Sequence, residues 1–328
     1  MNEARSTQHT GNALLRSAPL VFLAVLSASF AALSPRFLTV DNLSAILVQS
    51  SWLIVVALGM NFVLLTAGVD LSVGSVMYLA AVTVSMGLPT SPVWACALAS
   101  ILVGAAFGTL NALAIVRARL PPFIVTLSTI FIGRGLGLYV SSTRIVYASP
   151  AVAGVGRTSW WGVPAPLWIA GAATACAWVI LKQTPLGPYA RSIGADAEGA
   201  RRAGVPVSAV TFGVYMLCGA SAGLAGFISL SQISAASGAF GQNAEFLGIA
   251  AAVLGGTSLL GGRGSLWAPL IGAVLITTVQ NGLAMMNANP YAYPVITGTV
   301  IFVAALLDSL RSGAIAHLGR RPITTKAP

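Results

Sequence analysis

Residues 43–116 read LSAILVQSSWLIVVALGMNFVLLTAGVDLSVGSVMYLAAVTVSMGLPTSPVWACALASILVGAAFGTLNALAIV, and Asp70 is the one charged residue among these 74. A bilayer-spanning helix takes ~20 mostly apolar residues, so the stretch is too long for one span and suits three. The pattern continues beyond it. From Val207 to Leu310 the only charges are Glu245, Arg263 and Asp308. Of all 328 residues, 56% are hydrophobic and 7% charged, with a mean hydropathy of +0.87. A soluble domain carries roughly a quarter charged residues, so this chain belongs in a bilayer. The expected fold class is an all-α polytopic transmembrane bundle of about ten spans. These fall near 18–34, 44–66, 73–89, 93–116, 121–141, 164–182, 207–230, 246–261, 266–287 and 293–310. Tails at 1–17 and 311–328 flank the membrane domain 18–310.

The basic residues set the orientation. With odd spans running outward, Arg5, Arg16, Arg117, Arg119, Lys182, Arg191, Arg201, Arg202, Arg263, Arg311, Arg320, Arg321 and Lys326 lie inside. Only Arg36, Arg144 and Arg157 lie outside, and Arg134 falls within a span. Thirteen against three puts both termini in the cytoplasm by the positive-inside rule. The net charge of +10 is therefore spread over the ends of apolar runs, which excludes a nucleic-acid-binding patch. Trp160, Trp161 and Trp168 cluster by the long outer loop, as interface anchors do. Arg5 and Arg16 before an apolar run imitate a secretory signal, but the many spans downstream favour an uncleaved first helix. Cys96, Cys176 and Cys218 each lie in an apolar run without paired spacing, which fits buried thiols and neither a disulfide nor a metal site.

Glycine pairs four residues apart at Gly104/Gly108, Gly133/Gly137 and Gly219/Gly223 let helix backbones approach closely in lipid. There is also an internal echo: AGVDLSVGSVMYLAA follows the second span and GGRGSLWAPLIGA follows the eighth. Both are glycine-rich breaks leading into an apolar helix, the pattern by which transporters mark a pathway. GGTSLLGGRGS reads either as a re-entrant turn or as a simple inner loop.

Polar residues in the spans are the candidate path. An ionisable group in the membrane costs at least ~2.5–3.5 kcal/mol on insertion scales, so Asp70 is a candidate for gating or the pathway. The competing reading is that Asp70 or Ser72 caps the third span at its inner end. Asn61, Asn111, Gln280 and Asn281 are amides suited either to sugar hydroxyls or to holding helices together. Phe123 and Thr126, after the Pro121-Pro122 break, complete the pathway candidates Asn61, Asp70, Ser72, Asn111, Phe123 and Thr126. Arg134 either snorkels to the outer interface or pairs with an outer-loop group.

No catalytic or metal-binding residues are assigned. Neither Lys182 nor Lys326 is followed by Ser or Thr, so no phosphate-binding loop is present. The two histidines, His9 and His317, are in the tails. No cofactor is expected, and any ATPase driving the protein is another chain. The one charged island is the loop 183–206, whose residues 184–206 read TPLGPYARSIGADAEGARRAGVP. It predicts a helix of about two turns, with Asp196 as N-cap, Glu198 at the positive end, and Arg201 and Arg202 in the last turn. Gly204 supplies a left-handed C-terminal residue and Pro206 stops the helix. So short a helix is marginal in water, so it needs a surface to dock on.

Four stretches carry a family resemblance nearly end to end: AGVDLSVGS at 67–75, LNALAIVRARLPPFIVTLSTIFIGRGL at 110–136, the island at 184–205 and AAVLGGTSLLGGRGSLWAPLIGA at 251–273. The chain resembles the membrane permease subunits of bacterial ABC importers for ribose and related monosaccharides. The resemblance implies alternating access in the inner membrane, driven by separate cytoplasmic ATPase subunits that bind the ATP. It also implies a periplasmic sugar-binding protein and a second permease copy as partners. The island would be the coupling helix, with Asp196, Glu198, Gly199, Ala200, Arg201 and Gly204 as its residues. Gly199 stands where the family has alanine. Two alternatives remain: a permease of the same architecture for branched-chain amino acids, nucleosides or a signalling sugar, and an ion-coupled secondary transporter.

Overall fold

A computed structural model describes residues 18–299, 302, 303 and 306. The tails 1–17 and 311–328 and the far part of the tenth span lie outside them. The chain is helical almost throughout: α1 (Ala18–Leu33), α2 (Val40–Leu65), α3 (Val73–Gly87), α4 (Val93–Val116), α5 (Pro122–Ser141), α6 (Pro150–Val155), α7 (Ala165–Gln183), α8 (Leu186–Ala195), α9 (Ala197–Arg202), α10 (Val207–Ile233), α11 (Ala244–Leu254) and α12 (Trp267–Met285). Among the described residues six helices are long and apolar enough to cross a membrane, namely α2, α4, α5, α7, α10 and α12. α1, α3 and α11 are shorter apolar helices. α2, α10 and α12 bury most of their apolar stretch and form the centre, while α4, α5 and α7 leave most of theirs outward. One end of the bundle carries Arg117, Arg119, Lys182, Arg191, Arg201, Arg202 and Arg263, and is called the basic end below. At the other end β1 (Val146–Tyr147) pairs antiparallel with β4 (Ala235–Ala236), and β2 (Ser159–Trp160) with β3 (Val163–Pro164).

The three glycine pairs serve two close contacts. Gly104 and Gly108 of α4 meet Gly219 and Gly223 of α10, and a Cβ on any of the four would run into backbone of the opposite helix. Gly133 and Gly137 of α5 give the same room to Ser75 and Tyr78 of α3. Lipid tails are as apolar as these side chains, so helix association relies on such close packing and on interhelical hydrogen bonds.

Two helices start inside the bundle. α2 ends at Leu65, and residues 66–72 turn back into the protein before α3 begins, with Ser75 against the middle of α5 at Gly133. Likewise, residues after α10 pass through β4 and back inward until the Gly241 carbonyl packs on Gly74, and α11 starts there. The eighth span, expected over 246–261, is corrected: the helix is the 11 residues Ala244–Leu254. At 1.5 Å per residue it rises about 16 Å, half of a ~30 Å hydrocarbon core. It stops at Gly256, which takes a positive φ of 108°, and Gly261 and Gly262, at 87° and 73°, shape the rest of residues 255–266 into turns at the basic end. There the Gly262 N–H donates to the Leu65 carbonyl at 3.1 Å. The echo between the two glycine-rich turns has a structural counterpart. Asn111 donates to Ser72 near the basic end of α4, and Asn61 donates to the Ser265 carbonyl near the basic end of α2.

Candidate functional site

Asp70 is wholly buried in the turn between α2 and α3. Its Oδ1 accepts the Ser72 N–H at 2.9 Å and the Ser72 hydroxyl at 2.6 Å. The Asn111 amide donates to Ser72 Oγ at 2.9 Å, which ties this turn to α4. The Tyr215 hydroxyl of α10 donates to the Val69 carbonyl at 3.2 Å. The expectation that Asp70 or Ser72 caps a helix at the inner end is corrected: Ser72 stands at the N-cap of α3 without a side-chain cap bond, and Asp70 closes a turn upon Ser72. Asp70 Oδ2 and Asn111 Oδ1 are buried without a hydrogen-bond partner among the described residues. Irregular backbone at membrane depth is tolerated only where protein covers it or water fills a cavity, and here Asn111 of α4 and Tyr215 of α10 cover it.

Asn61 belongs to a separate cluster. Its Oδ1 accepts the Thr257 hydroxyl at 2.7 Å and its amide donates to the Ser265 carbonyl at 3.3 Å, which fastens the turns 255–266 to α2. Thr126 is buried and donates to its own Pro122 carbonyl at 2.9 Å, while Phe123 faces outward. The structure thus brings together Asp70, Ser72 and Asn111, and sets Asn61, Phe123 and Thr126 apart from them.

Arg134 does not snorkel. It donates through Nη1 to the carbonyls of Gly238 and Phe240, at 3.0 and 2.6 Å, and its guanidinium lies 5.3 Å from the Tyr78 ring centroid. The Tyr78 hydroxyl is 3.0 Å from Ser141 Oγ. Glu245 is buried in the first turn of α11, its carboxylate beside Gly74, on which the Gly241 carbonyl also packs. The Arg134 cation satisfies the Gly238 and Phe240 carbonyls, which the turns at 237–243 leave without ladder partners. Of the two sequence readings of Arg134, pairing with an outer-loop group is the one the structure shows, the group being the Gly238 and Phe240 carbonyls in the loop between the seventh and eighth spans.

At the basic end the charged island folds as two helices. The expected short one is α9, and before it stands α8, which the sequence reading missed. Asp196 is extended between them (φ −160°), and its Oδ1 accepts the Glu198 N–H at 3.1 Å. Glu198 pairs with Arg201 at 2.9 Å and Arg202 at 3.2 Å, exposed contacts that orient the helix more than they stabilise it. Gly204 takes φ +84°, and the N–H groups of Gly204 and Val205 close the end on the carbonyls of Arg201 and Ala200. Ala200 is buried beneath, and a Cβ on Gly199 would strike the Asp196 carboxylate. Beside α9 opens a cleft of about 990 Å³ lined by Arg119, Pro121, Pro122, Arg201, Pro206 and neighbouring residues. Gly194, at the end of α8, packs on the Leu65 carbonyl and the Gly262 amide.

Over residues 42–305 the chain matches the family described as branched-chain amino acid transport system / permease component. It is 37% identical over 305 residues to the ribose import permease of Escherichia coli, covering 90% of this chain and 94% of that one. To the D-allose transport system permease of Escherichia coli it is 35% identical over 294 residues, covering 88% and 90%. To the L-arabinose transport system permease of the same organism it is 32% identical over 297 residues, covering 90% of each. No solved structure matches it.

Proposed function

The chain belongs to the family of transport-system permease components matched over residues 42–305, and we propose that it imports a monosaccharide as the membrane subunit of an ABC importer. The observation that carries the substrate class is the alignment, over about nine-tenths of both chains, with permeases for ribose, D-allose and L-arabinose. It is a multi-pass inner-membrane protein, with its ATPase and its sugar-binding protein as separate partners. The sequence carries no phosphate-binding loop of its own, so ATP is bound by the other subunit.

The basic end faces the cytoplasm in this reading, supported by the thirteen-to-three distribution of Lys and Arg. α9 is the coupling helix, with Asp196, Glu198, Gly199, Ala200, Arg201 and Gly204 as its residues, and the adjoining cleft admits a partner segment. Two permease copies flank the path, and ATP binding in the ATPases rocks them between inward and outward openings. The turn of Asp70, Ser72 and Asn111 is the hinge from which α3 swings, a reading supported by its burial and by its orphan oxygens.

Reconstitution tests this. Proteoliposomes holding the permease, the neighbouring ATPase and the binding protein should take up one labelled sugar from a panel of ribose, D-allose and L-arabinose only with ATP and all three components. Uptake of branched-chain amino acids and of no sugar would keep the architecture and overturn the substrate class. Uptake that ignores ATP and collapses with an uncoupler would overturn the importer.

A further inference from the structure

Between the start of α11, α12 at Gln280 and the helical residues 293–298 lies a cavity of about 320 Å³. Its wall includes Gln242, Asn243, Phe246, Gln280, Tyr293 and Thr297. Small-molecule sites run from ~300 Å³ upward, so the volume suits a compact ligand. Among the described residues no charged one lines it. Gln242, Asn243 and Phe246 are exposed, although the Gly241 carbonyl beside them packs on Gly74 inside the bundle. Hydrocarbon does not solvate amides or irregular backbone, so this wall faces an aqueous or ligand-filled space and not lipid. A second observation points the same way. Thr297 is 93% buried, from its 7% exposure, and its hydroxyl has no hydrogen-bond partner among the described residues. A buried hydroxyl without a partner has lost its water without compensation, and a ligand's hydroxyl would restore the missing bond.

We propose that this cavity is an intramembrane subsite for a neutral monosaccharide. The amides of Gln242, Asn243 and Gln280 and the hydroxyl of Thr297 exchange hydrogen bonds with sugar hydroxyls, and the Phe246 ring covers an apolar C–H face of the sugar. Amides both donate and accept, as vicinal hydroxyls require. A wall without a charge among the described residues disfavours an amino acid, whose ammonium and carboxylate would each need a partner. The proposal rests on the sugar-importer reading and adds to it the residues that hold the sugar in transit.

The test uses the full reconstituted transporter and two variants that spare the backbone. Asn243 sits at φ +64°, which glycine also adopts, so Asn243→Gly removes the amide alone. Thr297→Val removes only the hydroxyl. With whichever of ribose, D-allose and L-arabinose the wild type takes up, both variants should raise the KM for uptake at least tenfold. They should also narrow the discrimination among the three sugars. In addition, Thr297→Cys in a Cys176→Ser background should react with a water-soluble maleimide, and saturating sugar should slow that reaction at least fivefold. Unchanged KM and selectivity in both variants, or labelling that sugar does not slow, would overturn the subsite. A wild type that takes up none of the three sugars would overturn the sugar reading itself, a separate failure.

Discussion

Arg134 shows what one residue contributes when the backbone around it leaves the regular ladder. Its two bonds to Gly238 and Phe240 hold the turns leading into α11 against α5. Charged hydrogen bonds contribute ~1.5–3 kcal/mol each, and their loss strands buried carbonyls. Arg134→Met, which keeps the length of the side chain, is therefore expected to lower stability by roughly 3–5 kcal/mol, seen as a large fall in the thermal denaturation midpoint of the detergent-solubilised protein. An unchanged midpoint would mean that water or lipid headgroups satisfy those carbonyls instead. Gly199 is the opposite case, where two effects cancel. Gly199→Ala gains about 1 kcal/mol of helix propensity. The new Cβ displaces the Asp196 carboxylate from its cap, a loss of about the same size. The expected midpoint shift is close to zero, and a rise comparable with the full propensity gain would show that Asp196 rotates without losing its bond to Glu198. Asp70 and Arg134 were legible in sequence because a lone charge stands out in an apolar run. The partners of Arg134 were not, because they are backbone carbonyls and carry no residue signature.

At the scale of elements, the sequence announces helices by apolar length and ends by caps, and misses whatever is shaped by packing. α9 was legible since Asp196, Arg201, Arg202 and Gly204 are all local signals. α8 was not. Its LGPYARSIGA carries Gly187, Pro188 and Gly194, which read as turn residues, yet Gly187 and Gly194 are small because each packs on backbone, of Leu181 and Leu65 respectively. The full-length eighth span failed for a related reason: AAAVLGG is apolar enough to continue, and the helix stops at Gly256, whose φ is positive. The α4–α10 contact supplies the element-scale test. A Cβ at Gly219 would overlap the Gly104 carbonyl, so Gly219→Leu forces the two helices apart. Overpacking costs ~1–3 kcal/mol or more, and here it acts at the most intimate helix pair of the bundle. The variant is expected to be poorly extracted and to denature at lower temperature, whereas Gly171→Leu, on α7 with open space beside it, should match the wild type. Equal behaviour of the two variants would show that the α4–α10 approach is dispensable.

Across the whole molecule, the two irregular turns and the charged island meet at one junction. α2 ends at Leu65, whose carbonyl accepts the Gly262 N–H from the turns after α11, and Gly194 of α8 rests on both groups. Only Asp196 separates α8 from α9. If α9 is the coupling helix proposed above, its displacement would reach the start of the Asp70 turn and the 255–266 turns together through α8. Those turns precede α3 and follow α11, the two helices that begin inside the bundle, and the Gly74–Gly241 contact joins them again at depth. Packed elements with two arrangements transmit such displacements, and spatial continuity by itself is only an association. Gly194→Val supplies the physical test, because a branched side chain cannot enter the space between Leu65 and Gly262. With α9 and its caps intact, assembly with the ATPase is expected to persist and ATP hydrolysis to continue, while sugar uptake falls at least tenfold. Gly204→Val acts earlier in the same chain of contacts. A β-branched residue at φ +84° costs ~1–2 kcal/mol in a helix too short to stand alone, so here ATPase binding itself should weaken. Co-purification of the ATPase separates the two: retained with Gly194→Val and reduced with Gly204→Val. If Gly194→Val transports sugar normally, the junction is packing alone and motion reaches the intramembrane turns by another route.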